Sequence, residues 1–246
     1  MSATTTEEDF PTQLKKATRD VHKISDVLVN AKFALALSND KVWADGLLSF
    51  YEIYKFFEEE LPEELLPKEY HRIAGFEKDF EYFLGKDWRQ TYEIKEPVKK
   101  YLEHLREVNK KDKILLFAYA FQMYMALMSG GQLLQRKRMI ARKLTMSKKE
   151  DDEEETVKPG CEATWFGYKK IPELKAKLKS ILNEKYKEFD EDMKKAYIEE
   201  SRNVFIFNNE VIRSVKGVNQ ANAIQMLVFV GMVTIAFILK WYLLPK

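Results

Sequence analysis

The sequence predicts an all-α protein, a multi-helical bundle followed by a C-terminal transmembrane helix. Apolar residues recur at the roughly 3.6-residue spacing of amphipathic helices along most of the chain. No stretch combines alternating apolar and polar residues with turn chemistry, as a β-strand would. A long uncharged segment near the C-terminus has the composition of a membrane span. The pattern favours about eight helices.

The first predicted helix runs from Gln13 to about Asn30, after a polar arm of residues 1–12. Four polar residues stand at i, i+4, i+7 and i+11 and therefore share one side of this helix: Lys15, Arg19, His22 and Asp26. An imidazole can ligate iron, a carboxylate one turn on can accept its second N–H, and cations can meet ligand carboxylates. A solvated charged face with an incidental histidine is the alternative.

The next predicted helices supply the aromatic core. Asp40 to about Glu64 carries a broad apolar stripe: Trp43, Leu47, Phe50, Tyr51, Tyr54, Phe57 and Leu61. A further helical segment from Glu69 to about Leu84 ends before Gly85, and a short helix begins at Pro97.

A long helix is predicted from Ile114 to about Leu144, and Gly130 and Gly131 stand side by side within it. Each interior glycine costs about 1 kcal/mol relative to alanine, so the pair needs a compensating reason. Tight helix–helix packing is one explanation. A flat ligand lying against bare backbone is the other.

The rest of the soluble part is predicted to contain a charged loop and two helices. Residues 147–160, SKKEDDEEETVKPG, have no apolar face, so we expect a mobile surface loop, with an acidic interaction patch as the alternative. Helices are expected from Pro172 to Tyr186 and from Glu191 to Lys216. Val218 to Asn222 is expected to link the helical domain, residues 13–217, to the C-terminal segment.

The C-terminal segment, residues 218–246, is predicted to anchor the chain in a membrane. Ala223 to Leu239 holds seventeen residues without a charge, which is at the short end of what spans a core of about 30 Å. Lys240 can extend the span by snorkelling, and Trp241 and Tyr242 suit the interface. A buried core helix is the alternative. The start of the chain lacks a signal-peptide pattern. Because only residues 243–246 follow Trp241 and Tyr242, the domain is expected to lie on the N-terminal, cytosolic side of a tail anchor.

Composition excludes some partners and sites. The 41 Lys and Arg nearly balance the 39 Asp and Glu, which gives no case for a nucleic-acid partner. Cys161 is the single cysteine, so no intrachain disulfide can form and a reducing compartment is expected.

Three histidines limit the possible metal chemistry. A helical di-iron site needs Glu three residues before His. The residues at that spacing before His22, His71 and His104 are Arg19, Lys68 and Tyr101. Ser129 lacks the flanking pattern of a hydrolase nucleophile, and the supply of Cys and His is too small for zinc. A heme site stays compatible, with one axial histidine, a glycine-bearing helix over the other face and cations for two propionates.

Several segments together resemble the microsomal heme oxygenase family, in its order and at its separations. They are KKATRDVHKISD, KEYHRIAGFEKDFEYFLG, MALMSGGQLLQ and IEESRNVFIFNNEV, followed by the apolar tail. The resemblance covers nearly everything from Gln13 to the end and suggests an insect member.

The resemblance implies a fold, a reaction and partners. Members of the family are helical bundles that hold heme b, both substrate and cofactor, between a proximal and a distal helix. They open the ring to biliverdin, carbon monoxide and ferrous iron, using O2 and electrons from NADPH through cytochrome P450 reductase. Biliverdin reductase is a further implied partner. The implied location is the endoplasmic reticulum membrane, tail-anchored with a cytosolic catalytic domain, with the mitochondrial outer membrane as the alternative.

The resemblance also assigns roles to residues. His22 falls at the axial ligand, Asp26 beside it, and Lys15 and Arg19 near the propionate edge. Two further basic positions fall on Lys175 and Lys179, with Lys177 as an alternative register. The remaining implied site residues are the catalytic distal segment Ser129, Gly130 and Gly131, and the pocket residues Phe205 and Asn208.

Two departures from the family pattern concern the distal side. Where the family reads Gly-Asp-Leu-Ser-Gly-Gly, this chain has Ala126 to Gly131 with Leu127 in place of Asp. That Asp orders the water chain that delivers a proton during oxygen activation. Phe121 replaces a pocket Tyr. We therefore expect a slower, less regioselective oxygenase. The alternative is a tail-anchored heme-binding sensor, carrier or adaptor that has lost turnover.

Overall fold

The computed structural model describes residues 9–33, 36–145, 157–167 and 171–243. Every regular element in these ranges is helical, which confirms the all-α prediction. Most of the polar N-terminal arm, and residues 147–156 of the expected charged loop, lie outside the described ranges.

Eleven α-helices are present in the described residues. They are α1 (Phe10–Ala17), α2 (Arg19–Phe33), α3 (Asp40–Glu60), α4 (Ile73–Leu84), α5 (Trp88–Thr91), α6 (Glu96–Lys111), α7 (Lys113–Ala126), α8 (Gln132–Thr145), α9 (Ile171–Tyr186), α10 (Glu191–Arg213) and α11 (Val218–Leu243). A π-helical turn, Leu127–Gly131, joins α7 to α8. Short 3₁₀ turns occupy Ala36–Ser38, Lys68–Tyr70 and Glu162–Thr164.

The first predicted helix is divided in two at Thr18. The backbone there has φ −104° and ψ 2°, and the Thr18 hydroxyl donates to the Leu14 carbonyl at 2.9 Å. Such a side-chain bond competes with the helical ladder and bends it. The His22 amide still donates to Thr18 O at 2.9 Å, so α2 follows α1 without an intervening loop.

The core is centred on α7. Its side chains from Leu115 to Phe121 are all buried, because α7 packs against α3, α6 and α10. A helix enclosed by other helices is apolar on every side. Since α7 continues directly into the π-helical turn, the core fixes where that turn begins.

α8 is held in place by a buried guanidinium. Arg138 is 1% exposed, hydrogen-bonds Asp40 at the start of α3, and lies 5.3 Å from the ring centre of Trp43 and 5.2 Å from that of Phe83. A buried charge requires such a partner. The ion pair and the rings thus fix α8, and with it the far end of the π-helical turn, against α3 and α4.

α2 lies at the edge of the core. None of its side chains is buried, and it packs against α10 and α11. Arg202 of α10 holds its first turn through two hydrogen bonds of 2.7 Å to the Asp20 carboxylate, which lowers the pKa of Asp20 to about 2. Ile24 and Val27 remain exposed. The apolar side of α2 is therefore free to cover a ligand.

Within the described residues, two stretches are long and apolar enough to cross a membrane. In Lys113–Arg142 the apolar window is 56% buried within the protein, so this stretch belongs to the core that α7 and α8 form. Val218–Ile235 is 12% buried, which keeps it as the candidate span. Val218 to Asn222, expected as a separate linker, form the first turns of this same helix, α11.

Candidate active site

The first group of the site is a histidine–carboxylate pair on α2. His22 Nδ1 lies 3.0 Å from Asp26 Oδ2, and both side chains are more than half exposed. Because the carboxylate accepts the Nδ1 proton, the Nε2 lone pair is left for a ligand. Within the part of the chain that the structure describes, Nε2 makes no hydrogen bond. The imidazole is therefore oriented and available.

Phe205 of α10 completes the surroundings of His22. The two rings meet edge to face, with centroids 5.4 Å apart at 62°. This contact limits rotation of the imidazole. It also places Phe205 on the side of the proposed axial ligand, whereas the family resemblance assigns it to the distal pocket.

The second group is the π-helical turn itself. The predicted bend at the glycines takes the form of this wider turn, Leu127–Gly131, a feature that often occurs at functional sites. The Ser129 hydroxyl donates to Met125 O at 2.8 Å and satisfies a carbonyl in the altered ladder. Met128 is buried in the core, while Ser129 and Gly130 are exposed. The turn therefore presents backbone and small side chains to the outside.

The space around the glycines separates the two explanations for them. A Cβ added at Gly130 would meet no atom within 4 Å, and one at Gly131 would approach only its own helix, at 3.0 Å from Leu127 Cδ1. No other helix of the described chain presses on either position. Tight helix–helix packing thus does not explain the pair, and the space is open for a ligand.

The third group is a set of cations on α1, α2 and α9. Lys15 and Arg19 are exposed, and no ion pair engages them among the described residues. Phe10 of α1 stacks on Tyr186 of α9 at 4.1 Å, which makes these helices neighbours. An anionic ligand at this edge can meet cations from both.

Among the described residues, the two lysines favoured on α9 form no salt bridge, although the charge of Lys179 helps to lower the pKa of Asp9. Lys177, the alternative, is bound to Glu69 at 2.8 Å. Lys175 and Lys179 are one turn apart, and the pKa of Lys175 is lowered, first by burial and then by the charge of Lys179. A ligand carboxylate would relieve this repulsion.

The distal interior is mostly apolar, with a few polar atoms behind it. Phe121 is buried and packs edge to face on Phe117, with centroids 6.1 Å apart. The amide of Asn208 donates to Met123 Sδ at 3.1 Å, and its buried Oδ1 has no hydrogen-bond partner in the described chain. An orphaned buried oxygen of this kind is a site for a water or a ligand donor.

Sequence reasoning missed two residues of this region. Tyr54, read only as core, donates its hydroxyl to Met123 O at 3.1 Å, and Tyr101 buries a hydroxyl without a partner in the described chain. A buried tyrosine normally finds a hydrogen-bond partner. The signal available in the sequence was that each tyrosine of an apolar core must find a hydrogen-bond partner for its hydroxyl.

These groups together fit a heme. An oriented imidazole, open backbone at Gly130, exposed apolar residues on α2 and unpaired cations are what a flat, dianionic iron ligand requires. For the described residues, no cluster of His, Cys, Asp and Glu offers an alternative metal site.

Gly131→Leu is expected to abolish heme binding while leaving helix content largely intact. A Cβ here already lies 3.0 Å from Leu127 Cδ1, so a longer side chain must project into the ligand space. Hemin titration followed at the Soret band, with circular dichroism for folding, measures both. Gly46→Leu on α3 is the matched control, because a Cβ at Gly46 meets nothing within 4 Å. Normal titration by the Gly131 variant would contradict this placement.

Comparisons with known proteins agree with the geometry. The sequence model described as heme oxygenase matches residues 8–214. The chain is 30% identical over 222 residues to heme oxygenase 1 of Gallus gallus, covering 85% of this chain and 70% of that protein. It is 31% identical to a heme oxygenase of Takifugu rubripes over 54% of this chain and 52% of that protein. The chain therefore belongs to the heme oxygenase family, a family of enzymes, which confirms the resemblance.

Solved structures show the same fold. Heme oxygenase 2 of Chlamydomonas reinhardtii, without heme, superposes with a TM-score of 0.73 at 23% identity, covering 85% of this chain and 98% of that one. Heme oxygenase-1 of Synechocystis sp. PCC6803, in complex with heme, gives 0.67 at 21% identity, covering 90% and 98%. The match to heme oxygenase 1 of Homo sapiens spans 48% of that protein's length.

Proposed function

We propose that this chain is a tail-anchored heme oxygenase. It would convert heme b to biliverdin, carbon monoxide and ferrous iron, with O2 and with electrons from NADPH through cytochrome P450 reductase. The His22–Asp26 pair carries this proposal, because its 3.0 Å contact leaves an exposed imidazole nitrogen ready to ligate iron. Family membership over residues 8–214 supports it.

The residues have separate tasks in binding. His22 would hold the iron, and Asp26 would keep the imidazole in the required tautomer and raise its basicity. Lys15, Arg19, Lys175 and Lys179 would hold the two propionates as cationic partners. Heme supplies the iron at which O2 is activated and is itself the substrate.

The π-helical turn would form the other wall of the pocket. Gly130 lets backbone approach the ring, because no Cβ intervenes. Ser129 would assist catalysis indirectly. Its hydroxyl donates to the Met125 carbonyl and so stabilises the widened form of the turn. A change between tighter and looser forms of this turn would admit substrate and release product.

Proton supply is the step that the sequence alters most. Leu127 cannot orient water, so a proton must come by another polar route, such as water bound to the orphaned Oδ1 of Asn208. We infer that turnover is slow because such a route is not anchored by a carboxylate near the reacting oxygen.

Leu127→Asp is expected to raise turnover, by roughly 10- to 100-fold if a positioned proton donor is what limits the wild type. Single-turnover loss of the Soret band, under saturating reductase, measures the step. Leu133→Asp is the control, since Leu133 lies on α8 just beyond the turn and is 53% exposed. An unchanged rate in the Leu127 variant would point to a proton route that does not pass this position.

The products of the wild type are expected to be mixed biliverdin isomers. Selectivity for one meso carbon depends on how the propionates seat the ring and how the distal side directs the reacting oxygen. Here lysines serve part of the propionate edge, and Leu127 and Phe121 are apolar where the family has an Asp and a Tyr to direct it. Chromatography of the extracted bilins measures the isomers, and the α isomer alone would refute this expectation.

The C-terminal helix supports a membrane location. Every side chain described from Ala223 to Ile235 is exposed, although this stretch is strongly apolar, and exposed apolar runs of such length indicate a lipid environment. We propose the endoplasmic reticulum as the membrane, the domain facing the cytosol. There it can meet the reductase, and biliverdin reductase can take up the product.

The full chain in lipid nanodiscs, titrated with hemin and then given NADPH, cytochrome P450 reductase and oxygen, tests the proposed activity. Loss of the Soret band with appearance of a bilin, in the presence of catalase, is the expected result. A Soret band that stays unchanged under reduction and oxygen would refute the oxygenase and leave a heme sensor or carrier.

A further inference from the structure

The first turns of α11 are part of the folded domain. Val218 is 2% exposed and Ala221 is 4% exposed, and both pack with Ala36 and Val42 in a small second core. The Asn222 side-chain amide donates to Lys32 O at 3.0 Å, at the C-terminal end of α2. The helix is therefore fastened to the domain and to the helix that carries His22.

The segment that leads into α11 is fastened as well. Gly217 has φ +75°, a conformation that favours glycine. The neighbouring Lys216 amide donates to Asp45 Oδ2 at 2.7 Å, and the same carboxylate oxygen accepts from Lys95 Nζ at 2.5 Å. Asp45 of α3 thus holds the α10–α11 connection, and Lys95 holds Asp45 in turn, so the connection is not a free tether.

The change from docked to exposed helix is abrupt. Asn222 contacts the domain, and every side chain described from Ala223 onward to Ile235 is exposed. The uncharged run starts at the same residue, Ala223. At 1.5 Å per residue its seventeen residues extend about 25 Å, which is short of a core of about 30 Å, so its first residues must lie within the bilayer core.

This spacing places the domain surface in the headgroup layer. That layer is roughly 5–7 Å thick on each side. Val218, at the start of the docked turn, is five residues before Ala223, which is about 7.5 Å along the helix. The docked turn therefore has the length of the headgroup layer, and the residues around it meet lipid.

The side chains around the docked turn carry excess positive charge. We call Lys32, Arg213 and Lys216 the anchor collar. Lys32 Nζ donates to Arg213 O, and Lys216 directly precedes Gly217. Lys95 is next to this group and donates to Asp45. Two carboxylates face this group, Asp45 at the connection and Glu210, which pairs with Arg213.

The collar cations and Lys95 repel each other, and Asp45 offsets part of this repulsion. Burial lowers the pKa of Lys32, the charges of Lys95 and Arg213 lower it further, and the charge of Asp45 raises it. Burial likewise lowers the pKa of Lys95, the hydrogen bond and charge of Asp45 raise it, and the charge of Lys216 lowers it. An anion beside them would relieve this repulsion, and at a membrane surface the phosphate groups of acidic lipids supply one.

We propose that the anchor collar lies in the lipid headgroup layer and binds the phosphates of anionic lipids, so that the domain sits directly on the bilayer. This proposal rests on the membrane anchor proposed above. Its consequence is that the C-terminal end of α2 is at the membrane surface. His22, ten residues before Lys32, is then only about 15 Å away along α2, within reach of an apolar substrate that leaves the bilayer.

The test measures how close each end of α10 lies to the headgroups. In a Cys161→Ser full chain, a fluorophore is attached at Glu210→Cys, beside the collar, or at Glu188→Cys, beyond the other end of α10. Both positions are exposed, and the part of α10 between them, from Glu191 to Glu210, is about 28 Å long. In vesicles of phosphatidylcholine with nitroxide-labelled headgroups, quenching at position 210 is expected to be several-fold greater than at position 188.

Two further measurements separate the possible failures. A fluorophore at Val230→Cys should be quenched by nitroxide on the acyl chains. No quenching there would refute the anchor, and the collar proposal with it. Equal quenching at positions 210 and 188, with Val230 quenched, would refute only the collar proposal. A Gly-Ser linker inserted after Gly217 should lower quenching at position 210 to the level at 188.

Anionic lipid tests the charge of the collar. Adding phosphatidylserine should increase quenching at position 210 in the wild type but not in a Lys32→Gln, Lys216→Gln variant. The matched control is Lys110→Gln, Lys187→Gln, which removes two exposed lysines elsewhere on the domain and should keep the response. No response of the wild type to phosphatidylserine would overturn the assignment of phosphates as the ligand.

Discussion

His22→Ala is expected to abolish axial ligation of heme and all turnover. The variant removes the single imidazole in the described chain that is both oriented and free. His71 is engaged with Glu58 at 3.6 Å and with Leu66 O at 3.3 Å. His104 lies 2.6 Å from the Tyr119 hydroxyl and 3.2 Å from Glu200. Neither can move to the iron without breaking contacts in the core.

The full chain titrated with hemin gives the measurement. The wild type should show a sharp Soret band, and His22→Ala a broad absorption close to that of free hemin, without bilin formation when reductase is added. Externally added imidazole should restore the band, because the exposed position that the His22 side chain occupied leaves room for a free imidazole to ligate the iron.

The other two histidines provide matched controls. His71→Ala and His104→Ala remove partly buried, hydrogen-bonded imidazoles and should lower stability, yet they should keep the Soret band of the wild type. A normal band in His22→Ala, or its loss in either control alone, would show that the ligand is elsewhere.

The helices and the candidate ligand were predictable because both depend on local order in the sequence. Apolar spacing gives the helices directly, and the spacing of His22 and Asp26 by four residues is enough to bring them to 3.0 Å on one helix. The boundaries were less predictable, because at Thr18 a single side-chain bond to Leu14 O interrupts the helix.

The distal turn was predictable only in part. Two adjacent glycines indicate that the helix departs from regular form, but not in which way. The π form depends on how Met128 packs into the core and on how Arg138 holds α8 from the other side. Arg138 stands in the sequence QRKR, which reads as an exposed basic face, so its burial between two aromatic rings could not be anticipated.

The propionate edge shows a different limit. Three lysines of α9 differ by only two positions each, and the sequence does not distinguish them. The ion pair of Lys177 with Glu69, a residue far away in the chain, occupies one of the three. A contact between distant segments thus occupies Lys177, and Lys175 and Lys179 are the residues that we propose for the propionates.

The docking of α11 was not predictable either, for the same reason. Asn222 reaches the backbone of Lys32, 190 positions earlier in the chain. In the sequence, Val218 to Asn222 reads as a short polar connection. Only the position of Ala36 and Val42 in space shows that this connection is a folded part of the domain.

A chain that ends at Gly217 is therefore expected to be markedly less stable than one that ends at Ile224. The shorter chain loses the buried Val218 and Ala221 and the Asn222 hydrogen bond. Burying a valine contributes about 2 kcal/mol and a hydrogen bond about 1 kcal/mol, so the loss is about 3 kcal/mol. At 2–4 °C per kcal/mol for a domain of this size, the melting temperature should fall by roughly 10 °C.

Heme binding should weaken in the same comparison. α2 buries no side chain of its own, and it depends on contacts with α10 and α11 to stay in place. Without the docked turn, the C-terminal end of α2 keeps its Lys32 contact with Arg213 but loses the Asn222 bond and is expected to fray, and the orientation of His22 then depends on the contacts with Arg202 and Phe205 of α10. Hemin titration of the two chains should show weaker binding and a broader Soret band for the shorter one.

Point variants in the longer chain separate the docked turn from chain length. Asn222→Ala should reproduce about 1 kcal/mol of the loss, because the Lys32 carbonyl then lacks its side-chain donor. Asn219→Ala, in the same turn but exposed, should leave melting and heme binding unchanged. Removing a docked turn exposes the apolar area that it buries and must lower the melting temperature. Equal melting temperatures for chains ending at Gly217 and Ile224 would therefore show that α11 is only tethered to the domain.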